Sequence, residues 1–128
     1  MTEIQRFMLP DEMKPVSHYC HVTRAGDRVW VSGTVGVKSD GTIPEDTAEQ
    51  FQVAIDAVDR CLQAAGAEAH HVVKVTVLLT DINDRAAINP IRQAYFGEHR
   101  PASTLFEVSA LVSPEMKVEI EVEAVVGD

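Results

Sequence analysis

The chain has 128 residues, 45% of them apolar, which is enough for one core and so for a single domain spanning residues 1–128. Twenty acidic against 11 basic side chains give a net charge of −9, and without a Lys/Arg cluster such a chain lacks the phosphate-neutralising surface that nucleic-acid binding requires. No apolar run approaches the ~18 to 20 residues of a membrane helix and Met1 to Arg6 lacks a signal-peptide pattern, so a soluble cytoplasmic protein is expected, with no membrane partner.

In chain order, Tyr19 to Arg24 and Arg28 to Val35 flank Ala25-Gly26-Asp27 and predict a β-hairpin, with Gly33 and Gly36 as bulge positions in its second strand. After a polar connection, Asp46 or Thr47 caps a helix, with Glu49 or Gln50 three residues on. Ala48, Phe51, Ile55, Val58, Leu62 and Ala65 recur at steps of three and four, which puts them on one face, and Gly66 ends the helix. Val72 to Leu79 is nearly continuous in apolar and β-branched residues, as a central strand is. Asn89-Pro90 predicts the start of a second helix running to Phe96, since Asn caps well and Pro suits the first turn. Strands over Thr104 to Ala110 and Lys117 to Val126 complete a β-β-α-β-α-β-β order. This is an α+β domain with a mixed sheet and both helices on one face, leaving the other face to be solvated or covered by another copy.

The last strand carries the most suggestive chemistry. Val118, Ile120, Val122 and Ala124 alternate with Glu119, Glu121 and Glu123, so three carboxylates about 6.5–7 Å apart share the face away from the helices. Mutual repulsion and partial burial raise a carboxyl pKa toward the range useful for proton transfer, while a solvated strand face is the alternative reading. His18 and His21 on a strand would point to opposite faces, and Cys20 and Cys61 have no metal-ligand spacing, so no metal site and reduced thiols are expected.

Arg100 to Val108 reads Arg-Pro-Ala-Ser-Thr-Leu-Phe-Glu-Val and closely resembles the Pro-Ala-Arg-Ser-Thr-Val-Glu-Val strand of the Rid (reactive intermediate deaminase) family, also called YjgF-like. The resemblance extends to Tyr19 through Gly26, Val29-Trp30-Val31-Ser32-Gly33, Val72 through Asp84, Asn89, Tyr95-Phe96-Gly97 and Val118-Glu119-Ile120-Glu121. It implies a chorismate-mutase-like fold, a homotrimer with small-molecule clefts between subunits, and hydrolysis of imines or enamines without a cofactor. It also implies that Glu121 orients the attacking water and that Tyr19, Thr34, Asn89, Ser103 and Thr104 line the cleft.

One position departs from the pattern. Counting from Pro101 to Glu107 without a gap puts Ser103 where the family's deaminases carry the arginine that grips a substrate carboxylate. A serine hydroxyl cannot form that bidentate fork, and the loss is worth roughly a hundredfold or more in binding. Arg100 on an extended chain would point to the opposite face, and Thr104 and Ser109 add no charge. The expectation is therefore a substrate other than the usual 2-imino acids, slow turnover of 2-iminopropionate, and a gain from Ser103→Arg. A trimer that binds a small molecule without catalysis is the alternative.

Overall fold

Alternating apolar residues of four strands, Val29 and Val31, Val75 and Val77, Leu105, and Val118, Ile120 and Val122, fall on one face of a single six-stranded sheet. The computed structural model describes residues 2–127. Its strands are β1 (Ile4–Phe7), β2 (Val22–Ala25), β3 (Arg28–Val35), β4 (Val72–Leu79), β5 (Ala102–Glu107) and β6 (Val118–Val125), with helices α1 (Thr47–Ala64) and α2 (Arg85–Phe96). The sheet order is β1-β2-β3-β6-β4-β5, and all neighbouring strands run antiparallel except β4 and β5, which are parallel. Val29, Val31, Val75, Val77, Leu79, Val118, Ile120, Val122 and Ala124 are buried beneath the helices. The predicted alternation of β6 is therefore observed residue for residue.

Helix α1 forms as its sequence dictates. Asp46 is the N-cap, its carboxylate accepting from the Glu49 N–H at 3.2 Å. Phe51, Ile55, Val58 and Leu62 are buried against the sheet, and Gly66 leaves the helix at φ +83°. The C-terminal end is held from across the fold, where Arg24 Nη1 donates to the Ala65 carbonyl at 2.7 Å. Gly36 lets the helix approach, because a Cβ there would run into the Gln50 backbone. Gln50 is itself buried, and its side chain ties three segments together. Nε2 donates to the carbonyls of Pro44 at 2.7 Å and Glu115 at 2.8 Å, while Oε1 accepts from the Lys117 N–H at 2.9 Å.

Five elements differ from the sequence expectation. An additional strand, β1, pairs with β2, making the order β-β-β-α-β-α-β-β. The first hairpin strand begins at Val22 rather than Tyr19; His21 extends the pairing by one residue, its N–H donating to the Phe7 carbonyl at 3.1 Å and its carbonyl accepting from the Ser32 N–H at 3.0 Å, while its ring ties down the preceding loop, Nδ1 accepting from the Leu9 N–H at 2.9 Å and Nε2–H donating to the Met13 carbonyl at 2.7 Å. Helix α2 starts at Arg85, not at Asn89. A short 3₁₀ turn over Ile82–Asp84, whose preceding Asp81 carboxylate accepts from the Asn83 N–H at 2.9 Å, feeds directly into it, and Pro90 is tolerated inside the exposed side of the helix. Strand β5, expected over Thr104 to Ala110, begins two residues earlier and ends three earlier, at Ala102–Glu107, and β6 is one residue shorter at each end, at Val118–Val125. The register shift between Val31 and Thr34 is a bulge at Ser32-Gly33, as the Gly33 position predicts.

Candidate functional site

The sequence-derived site residues fall into three places in one chain. Tyr19 and Thr34 lie together in a narrow cavity of about 40 Å³, with His21, Ser32, Gly33 and Cys61. Thr34 Oγ1 donates to the Ser32 carbonyl at 2.8 Å, and the Ser32 hydroxyl donates to the Cys20 carbonyl at 2.6 Å, so both wall residues are held by backbone. Burial pushes the Cys61 thiol up to about 12, which disfavours its thiolate form.

Glu121 lies on the face of the sheet that carries no helix. It lines a cleft of about 210 Å³ with Trp30, Ser32, Lys74, Thr76 and Glu123. Ser32 borders both this cleft and the cavity of Tyr19. Thr104 belongs to the same face, because the parallel register pairs it with Thr76, and its hydroxyl accepts from Lys74 Nζ at 2.8 Å.

Glu119 is the carboxylate that the structure singles out on this face, two residues before Glu121. Sequence reasoning gave it no preference. It is partly buried and packs onto Gly33, where a Cβ would collide with its carboxylate. Burial raises its pKa above the ordinary glutamate value, and the neighbouring Glu121 charge raises it further. The Ser-Gly pair in a strand facing alternating glutamates was the available signal, because only glycine admits such an approach.

Ser103 and Asn89 are elsewhere. Ser103 pairs with Val75, a residue of the helix-covered face, so it and Thr104 point to opposite sides of β5. Its Oγ accepts from Arg92 Nη2 at 2.7 Å, and Asn89 lies exposed on the same helix α2. Strand β5 is an edge strand, and β6 and β4 separate it from Thr34 on β3. Three strand spacings amount to roughly 14 Å, beyond the span of one small metabolite. One chain therefore does not bring Ser103 to Tyr19, Thr34 or Glu121. Arg100 is exposed and precedes the strand.

Glu68, His70 and His71 are the one set among the described residues whose ligand atoms all lie within 4.8 Å of one another. Glu68 and His70 are exposed, and His71 Nδ1 is occupied as acceptor of the Glu68 N–H at 2.9 Å. No helix among the described residues is long and apolar enough to cross a membrane.

A β-β-β-α-β-α-β-β order, with both helices on one face of the sheet and clustered carboxylates on the other, defines a single α+β domain. The family model described as Endoribonuclease L-PSP matches residues 9–126, and the chain belongs to that family, also known as the YjgF or Rid family. The chain is 34% identical to the rat 2-iminobutanoate/2-iminopropanoate deaminase, over 99% of this chain and 95% of that protein. It is 36% identical to a RutC family protein of Pyrococcus abyssi, over 88% of this chain and 87% of that one. The crystal structure of the YjgF gene product from Escherichia coli superposes with a TM-score of 0.87 at 31% identity, covering 94% of this chain and 98% of that chain.

Proposed function

We propose that this protein hydrolyses a small reactive imine or its enamine tautomer, releasing ammonia and a carbonyl product. One observation carries the reading: on the helix-free face of β6, Glu119 is partly buried against Gly33 with its pKa raised by that burial and by Glu121, while Glu121, two residues on, lines an open cleft. Hydrolysis of C=N needs a proton acceptor and a proton donor. Glu121 takes a proton from the attacking water as oxygen bonds to the imine carbon, and Glu119 gives a proton to the nitrogen as the C=N π bond opens. Glu121 then returns its proton to the amine nitrogen and Glu119 takes the hydroxyl proton, so that the aminol's C–N bond breaks, ammonia leaves and C=O forms. The relatives named 2-iminobutanoate/2-iminopropanoate deaminases support this chemistry, and the net charge of −9 disfavours RNA as substrate.

The cleft is proposed to be completed between copies of the chain. Tyr19 and Thr34 stand toward one side of the sheet and Asn89 and Ser103 toward the other, so a homotrimer would let one copy's edge meet the neighbour's cavity. Whether the substrate carries a carboxylate then turns on which cation stands at residue 103.

The test follows decay of 2-iminopropionate, and of neutral imines, in the presence of a competing semicarbazide trap. Native protein is expected to divert imine from the trap, and Glu121→Gln to slow this by roughly a hundredfold. No acceleration of any imine by the native protein would overturn the reading in favour of a non-catalytic binding trimer.

A further inference from the structure

A serine at position 103 removes the guanidinium that the family resemblance implies on β5, yet the structure brings one to the same place by another route. Arg92 lies on α2, eleven residues earlier, and its Nη2 donates to Ser103 Oγ at 2.7 Å. We propose that Arg92 is the specificity-determining cation of this protein, holding the carboxylate of an anionic imine at the free edge of β5; the proposal rests on the imine-hydrolase reading above.

Three observations carry it. Ser103 is exposed, on a strand whose only hydrogen-bonded neighbour among the described residues is β4, so the guanidinium reaches an open edge and not the core. Arg92 is half-buried but makes no ion pair among the described residues. Only one of its five N–H donors is taken by Ser103, and a planar fork is left to face an anion. A guanidinium partly stripped of water without a counter-ion is poorly solvated until an anion arrives, and burial accordingly lowers its pKa. Serine at 103 fits this arrangement, since its hydroxyl accepts from the guanidinium and orients it, whereas a second arginine would repel it. Asn89, one helical turn before Arg92, adds an exposed amide on the same helix.

The competing account is a structural tie between α2 and β5, and binding distinguishes them. Pyruvate and its neutral amide are titrated calorimetrically into native protein, Arg92→Gln and Arg92→Lys, with circular dichroism and size exclusion as fold controls. Native protein is expected to prefer pyruvate at least tenfold, Arg92→Gln to lose that preference, and Arg92→Lys to keep part of it. The proposal is overturned if native protein shows no preference, or if Arg92→Gln retains it; should Arg92→Gln fail to fold, the native comparison and Arg92→Lys still decide. Imine turnover is measured alongside. Turnover without carboxylate preference sinks the Arg92 assignment and leaves the hydrolase reading standing, whereas Arg92-dependent pyruvate binding without turnover does the reverse.

Discussion

The carboxylate of Glu119 rests against Gly33, at a point where any side chain on residue 33 would displace it. Its raised pKa fixes the sign of a pH effect. Because the folded state binds this proton more tightly than the unfolded chain, the penalty for an ionised Glu119 is fully present above the folded pKa. It disappears as pH falls through that value toward the ordinary glutamate range. Thermal unfolding of Glu119→Gln should therefore exceed native at pH 8, and the difference should shrink on acidification. A constant difference across that window would show that Glu119 is ionised freely.

Gln50 makes three hydrogen bonds to backbone groups of Pro44, Glu115 and Lys117 while fully buried. Gln50→Leu leaves those groups unpaired and should cost about 3 kcal/mol in urea unfolding. Gln52→Leu, which removes only an exposed contact to Asp56, is the control and should stay within about 0.5 kcal/mol.

The helix-free face exposes Trp30 and Phe106, 37% and 46% accessible, beside Leu78 and the carboxylates of β6. Apolar area of that kind is expected to be covered by other copies. Light scattering after size exclusion should give three times the 14.0 kDa subunit mass, and Trp30→Glu should release monomer. A native monomer at micromolar concentration would count against both the trimer and the shared cleft.

Ser103→Arg looks, from sequence, like a restoration. With Arg92 already bonded to Ser103, the new guanidinium would crowd a like charge and lose the orienting hydroxyl. The expected outcome is lower turnover of 2-iminopropionate than native. A tenfold rise would mean that Arg92 does not serve the substrate.

Local signals account for what was legible beforehand. The period of α1, the Asp46 cap, Gly66 and the alternation of β6 are all encoded within a few residues of where they act. Features fixed by distant partners were not. Strand β1 has mostly exposed residues and exists through its pairing with β2, and Asn89-Pro90 imitates a helix start that Asp81 and the turn after it override. At the site, Glu121 and Thr104 do share a face as alternation requires, and Tyr19 and Thr34 share a cavity. Arg92 carried no sequence signal, because its meeting with Ser103 depends on how α2 lies along β5.

The position of β6 between β3 and β4 has a consequence for biosynthesis. Last of the described strands in chain order, it is hydrogen-bonded on both sides, and β3 and β4 have no ladder with each other. Until those residues leave the ribosome, the nascent chain holds two separate sheet fragments, each with an unpaired apolar edge. The domain should therefore close in one late, cooperative step, with its aggregation risk concentrated in the interval before β6 emerges and pairs.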